Sequence, residues 1–389
     1  MTPILFFSKL KHTSVFIFLL ILGWNGACGQ LSMQASATTN KQQVISSTVA
    51  KNIAPKTLFP IVQNDKCGFI DKTGQVVIKP MFDSAWEFQD GLIRIQVGSK
   101  YGYIDSSGQV VIKPKFDDAW NFNEELAAIK IGKKWGFINK LGQVVIKPKF
   151  DGAREFHEGL APIQLGSKWG YINKSEQIVI KPTFDNASDF FEGLAQIYVG
   201  RNAGYINKLG KIVIKPTFDN SLKFFKEGLI ATKIGKKYGY SNKLGKIVIE
   251  PTFDDAMDFS EGLAQIKVGS KWGYVNKLGQ IVIKPTFNGS HSFFEGLAQI
   301  YVGSKVGYIN KLGQIVIKPT FDNASDFKEG LAIIQVGSKS GYINKLGQIV
   351  IKPTFDQASY FNEGLAPIYV GRNAGYIDYT GRVVWSSTI

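Results

Sequence analysis

The sequence predicts an all-β repeat array of three short strands per unit. Three observations carry that reading: a step of 34 residues between equivalent glycines, a Gly and Pro density that no long helix survives, and two β-branched runs in every unit. The glycine recurs at Gly68, Gly102, Gly136, Gly170, Gly204, Gly239, Gly273, Gly307, Gly341 and Gly375, with one step of 35 between Gly204 and Gly239. Helical repeats of the same period need two amphipathic helices per unit, and the glycines and prolines exclude them.

Within a unit, Gly273-Tyr274-Val275-Asn276 and Gln280-Ile281-Val282-Ile283-Lys284 read as strands joined through Lys277-Leu278-Gly279. Gly near the end of so short a connection predicts a hairpin turn with that glycine at positive φ. Pro285 has no N–H for a ladder and is expected to close the second strand. Phe253, Ala256 and Phe259 then fall three apart behind Asp254, which predicts one capped helical turn. Glu261-Gly262 turns the chain back. Leu263-Ala264-Gln265-Ile266-Lys267-Val268 alternates, with Ala264, Ile266 and Val268 on one face, and reads as a half-buried strand.

Stacked along an axis, such units make an elongated hairpin solenoid, with the shared aromatic (Tyr274 and its equivalents) and both phenylalanines as core stacks. A closed β-propeller is the alternative. The familiar blade has four strands in about 40–45 residues, so the solenoid is the favoured expectation.

The array occupies residues 58–389. Ahead of it, Lys9, Lys11 and His12 precede the apolar run from Val15 to Leu22, which is shorter than the roughly 20 residues of a membrane span. With Ala27-Cys28-Gly29 this reads as a signal peptide over 1–29, cleaved near Gly29. Lipid attachment at Cys28 is the weaker alternative, because Asn25 stands where an aliphatic residue is usual. Residues 30–57 are polar and aperiodic and form a spacer. The expected location is therefore secreted or cell-envelope, with no membrane span in the mature chain. Only Cys28 and Cys67 are present, so if Cys28 leaves with the signal peptide, stability must come from stacking rather than from disulfides.

Lys134-Trp135-Gly136-Phe137-Ile138-Asn139, Lys168-Trp169-Gly170-Tyr171-Ile172-Asn173 and Lys271-Trp272-Gly273-Tyr274-Val275-Asn276 resemble the bacterial WG (KWG) repeat. The likeness runs from about residue 61 to 389 and includes the G-x-[IV]-[VI]-I-x-P, F-[DN] and E-G-L segments. It implies a strand-rich array, common in exported or multidomain bacterial proteins, without established catalysis. The chain departs at the tryptophan itself, replaced by Cys67, Tyr101, Ala203, Tyr238, Val306, Ser340 and Ala374.

An enzyme needs a unique cluster, and this chain repeats itself. Past the signal region the only histidines are His157 and His291, about four periods apart, so neither a metal site nor a general base is expected of them. No phosphate loop, dinucleotide motif or nucleophile elbow is present, and no cofactor is expected. Asp follows Phe and Glu precedes Gly-Leu in nearly every unit, the mark of capping and turn chemistry rather than of one catalytic pair.

Lysines and aromatics are the sharper candidates. One lysine row follows the second strand and includes Lys181, Lys215, Lys284 and Lys318; another precedes the hairpin turn at Lys140, Lys208, Lys243, Lys277, Lys311 and Lys345. With a formal net charge of +15, such rows form an electrostatic footprint for an anionic partner. Trp135, Trp169, Trp272, Tyr101 and Tyr238 occupy the variable slot and are expected as exposed rings that stack on sugars. Nucleic acid lacks a supporting motif. The expected function is an exported, non-enzymatic scaffold binding a surface glycan, another polyanion or a protein. A glycan hydrolase of the envelope and a structural spacer are the rivals.

Overall fold

The computed structural model describes residues 57–219 and 225–387. The expected export segment, and all but the last residue of the spacer, lie outside them. The described strands form ten separate antiparallel sheets, one after another along the chain. These are the blades of a closed β-propeller: 59–82, 84–116, 118–150, 152–184, 186–219, 229–253, 255–287, 289–321, 323–355 and 357–386, numbered 1 to 10 here. The solenoid expectation is corrected to its alternative. No α-helix occurs among the described residues, so none is long and apolar enough to cross a membrane.

A full blade is a four-strand meander. In blade 7 the strands are Asp255–Ala256, Leu263–Val268, Lys271–Asn276 and Ile281–Phe287. The last three are the predicted ones. The first replaces the expected helical turn: Asp255 and Ala256 run extended and pair with Lys267 and Ile266. Asp254 does cap a turn, but a different one. Its Oδ2 accepts the Gly269 N–H at 2.7 Å and its Oδ1 takes the Lys237 ammonium at 2.6 Å. With its carboxylate spent on the neighbouring hairpin, the segment has no helix to start.

The proline expectation also changes. The fourth strand continues through Pro285 to Phe287, and the register slips there, with Trp272 opposite Phe287 but Tyr274 opposite Ile283. The extra residues bulge over Gly273. A Cβ on Gly273 would lie 2.5 Å from the Ile283 carbonyl oxygen and 2.6 Å from the Pro285 nitrogen. Only a residue without a side chain lets the bulge close. Gly279 has the predicted positive φ, at 80°.

The core lies between blades, not within them. One cluster joins Trp135, Phe137 and Phe150 of blade 3 to Ala153, Phe156 and Ile163 of blade 4. The shared aromatic packs on the next blade's phenylalanine throughout, as in Tyr274–Phe293 at 4.9 Å between ring centroids, and its hydroxyl donates to the His291 carbonyl at 2.8 Å. Because each blade is covered on both sides, the second strand is buried on both faces over its first half. Gln265 is as hidden as Ala264 and Ile266, which corrects the half-buried expectation.

The same contacts close the ring. Phe59, Ile61 and Ile70 of blade 1 pack on Leu365 and Tyr376 of blade 10, and the Tyr376 hydroxyl donates to the Pro60 carbonyl at 2.8 Å. Among the described residues no strand is exchanged across this seam, and the four strands of blade 10 are all C-terminal. The first segments surround the axis. Lys328 of blade 9 acts on Glu87 of blade 2, and Glu155 of blade 4 acts on Arg94 of blade 2. These first segments line the centre of the ring, which leaves the fourth strands at the circumference.

Candidate functional site

Antiparallel order puts the turns between strands one and two on the same face as those between strands three and four. That face carries a repeated clamp. Glu261 and Gly262 form a two-residue turn with both at positive φ, at 54° and 86°. The backbone there points the Glu261 carboxylate at the next blade, where it accepts the Gly296 N–H at 3.0 Å and pairs with Lys311 of that same blade at 3.0 Å. Glu124 with Lys174, Glu158 with Lys208, Glu192 with Lys243, Glu227 with Lys277 and Glu295 with Lys345 repeat the pair. Glu363 carries it across the seam to Lys72. The second lysine row is therefore spent in holding blades together.

The opposite face uses the lysine before the variable slot. Lys66, Lys100, Lys134, Lys168, Lys237, Lys305 and Lys339 each meet the aspartate 17 residues on, at 2.5–2.6 Å. Hydrogen bonds from that lysine, then from the turn glycine, hold Asp254 and its equivalents below the ordinary aspartate range.

The first lysine row is arranged differently. Lys181, Lys215, Lys284 and Lys318 stand exposed on the fourth strands of blades 4, 5, 7 and 8. Lys181, Lys284 and Lys318 have no carboxylate partner among the described residues. Closure changes their geometry: the row is a belt around the circumference, interrupted at Glu250 of blade 6, and not a straight track. Proline and lysine on this outer strand also blunt an open sheet edge.

The aromatic slot does not form an exposed row. Trp135 is only 9% exposed, and Trp169, Trp272, Tyr101 and Tyr238 are half-buried. Each sits opposite a phenylalanine of its own fourth strand, as Trp135 does Phe150, and under a cation. Lys130 lies 5.9 Å from the Trp135 ring, Arg154 5.1 Å from Trp169, Lys267 5.7 Å from Trp272, Lys233 5.4 Å from Tyr238 and Arg94 6.0 Å from Tyr101. Sugar stacking on these faces would first have to displace those cations. Val306 and Ser340 fill the slot without altering the pairing, which is why the fold does not require tryptophan.

Around the axis the repeat breaks down, and here the sequence reading missed what the fold assembles. The His157 Nε2 lies 3.7 Å from Glu155, 3.8 Å from Asp189 and 3.1 Å from the Asn123 amide. The Glu155 carboxylate beside it raises the His157 pKa, and burial raises that of Asp189. On blade 8, His291 stands 3.9 Å from Asp326, which also takes the buried Gln299 amide at 2.5 Å. The two histidines serve separate acids, and no group of three His, Cys, Asp or Glu side chains suited to a metal ion exists among the described residues. The signal was in the sequence: the phenylalanine at Phe156, Phe190, Phe293 and Phe327 repeats, while residues within two positions of it, Glu155, His157, Asp189, His291 and Asp326 among them, vary from unit to unit.

These blades carry the pattern of one family. The description "WG containing repeat" matches nine segments in succession, from 68–101 through 272–305 to 341–372. The chain belongs to the WG-repeat family. Each match straddles two blades, taking strands three and four of one with strands one and two of the next. No curated protein matches the chain. Among solved structures, a eukaryotic initiation factor is similar at 11% identity over 85% of this chain and 96% of its own, with a TM-score of 0.48. The dihydro-heme d1 dehydrogenase NirN is similar at 9% over 79% and 75%, with a TM-score of 0.38. PorZ, a bacterial surface component of the type-IX secretion system of Porphyromonas gingivalis, is similar at 10% over 84% and 58%, with a TM-score of 0.26. At these scores they carry no argument about activity.

Proposed function

We propose that this WG-repeat protein is an exported, non-enzymatic binding platform that takes an anionic partner, a surface glycan or other polyanion, on its circumference. The observation that carries the reading is the division of labour among the lysines. Two of the three rows are neutralised by Glu and Asp partners, while Lys181, Lys284 and Lys318 stand exposed on the outer strands without one. A surface that pairs two of its lysine rows with carboxylates and leaves the outer row without them favours encounter with negative charge.

Each exposed lysine contributes modestly, about 1 kcal/mol or less at physiological salt, because screening acts within about 8 Å. Affinity then scales with the number of lysines engaged. Replacing Lys181, Lys215, Lys284 and Lys318 together by Gln is expected to weaken binding to immobilised heparin about tenfold or more and to flatten its salt dependence. Unchanged retention and an unchanged salt profile would defeat the reading.

A further inference from the structure

The turn between strands three and four opens on the same face as the glutamate clamps. Its geometry is the same in every blade: the Asn or Asp that ends strand three accepts the N–H of the residue two along. Asn276 takes Leu278 at 3.0 Å, Asn173 takes Ser175 at 3.1 Å, and Asp71 takes Thr73 at 2.9 Å. Leucine is thus not needed to close the turn, since Thr73, Ser107, Ser175 and Thr380 close it in blades 1, 2, 4 and 10.

Blades 5 to 9 nevertheless carry leucine here without a break: Leu209, Leu244, Leu278, Leu312 and Leu346, each at least 75% exposed. Behind them the fourth strands open with further exposed apolar residues, among them Ile281 and Ile315. The ring turns this sequence run into an arc over half of one face, while blades 10, 1 and 2 present hydroxyls. Leu141 of blade 3 is the one exposed leucine of this turn outside the arc; five on adjoining blades make a continuous apolar surface of the kind that marks an interaction site.

The charges around the arc select the occupant. Lys211 and Lys246 stand exposed two residues past Leu209 and Leu244, with no carboxylate partner among the described residues. Lys284 and Lys318 lie further along the same outer strands. Leucines projecting beyond a fringe of lysines match the layering of an anionic bilayer, where apolar tips enter the headgroup boundary and ammonium groups meet lipid phosphates. We infer that the leucine arc of blades 5 to 9 docks this face onto an anionic lipid surface. The inference goes beyond the circumferential reading above: it shares Lys284 and Lys318 with that belt but rests on the leucines of the turn face.

Flotation of the full chain with phosphatidylcholine vesicles, with and without phosphatidylglycerol, tests it. A variant carrying Leu→Ser at 209, 244, 278, 312 and 346 keeps a turn that serine already forms at Ser175, and its melting temperature checks the fold. It is expected to bind phosphatidylglycerol vesicles about tenfold or more weakly than the parent. Its heparin retention should be unchanged, which separates failure here from failure of the lysine belt. A local probe removes any contribution from the N-terminal apolar run. Leu278→Trp should shift to shorter emission wavelength on phosphatidylglycerol vesicles and Ser175→Trp should not. Equal vesicle binding by the fivefold variant, or no difference between the two probes, overturns the proposal. So does a change confined to self-association or to binding of another protein.

Discussion

Gly273 shows how much of the blade rests on one absent carbon. The bulge at Lys284-Pro285-Thr286 folds back until its backbone occupies the space a Cβ would need. Gly273→Ala is therefore expected to cost about 3 kcal/mol, as overpacking against backbone that cannot rotate away. Denaturant unfolding measures it, and a loss below about 0.5 kcal/mol would show that the bulge yields instead. The contrast with the slot before it is instructive. Trp272 stands opposite Phe287 and under Lys267, yet alanine, valine and serine stand in its place elsewhere, because that side chain fills blade surface whereas the glycine is a steric condition of pairing.

At the scale of the hairpin, the Asp–Lys–glycine triplet holds the turn between strands two and three, and its charge makes it pH-sensitive. The folded pKa of Asp254 and its equivalents lies below the unfolded value of 3.8. Their contribution is therefore complete above that value and is lost as pH falls through the depressed folded values. Asp189 has the opposite sign: raised by burial, it costs stability once pH exceeds 3.8. His157, raised above 6.5, contributes below that pH and fades as pH rises through its folded value. Thermal melts should accordingly show a steep loss below about pH 4. Replacing several of the repeated aspartates by Asn, as the chain itself does at Asn288, should lower the melting temperature at neutral pH and flatten the acid limb. An acid limb unchanged in that variant would place the sensitivity elsewhere.

At the scale of the molecule, closure makes every junction depend on the others. Removing one unit, 239–272, leaves nine blades that must each open to a wider angle, straining the Tyr–carbonyl bonds and glutamate clamps that recur at most of the junctions. The expected outcome is a melting temperature lower by about 10 °C or more. An open stack would instead lose one unit's contacts and melt nearly as before.

The period, the strand content, the hairpin glycine and the aromatic stacks were legible because they depend on contacts within a unit or on a rule repeated at each one. Gly279 needs positive φ for its own turn, and Tyr274 meets Phe293 at a fixed spacing. Family membership was legible for the same reason. The short first strand was not, because Asp255-Ala256 is two residues long and gains its extended form from pairing with Ile266 and from the carboxylate of Asp254 reaching Gly269. Nor was the destination of the lysines: Lys277 and Lys284 look alike in sequence, and only the neighbouring blade supplies Glu227 to one and nothing comparable to the other. Open or closed was likewise undetermined, since a solenoid and a propeller use the same unit. The tertiary structure decided it through the angle between successive blades, a property of packed side chains that becomes visible only where Tyr376 meets Pro60 and the tenth blade reaches the first.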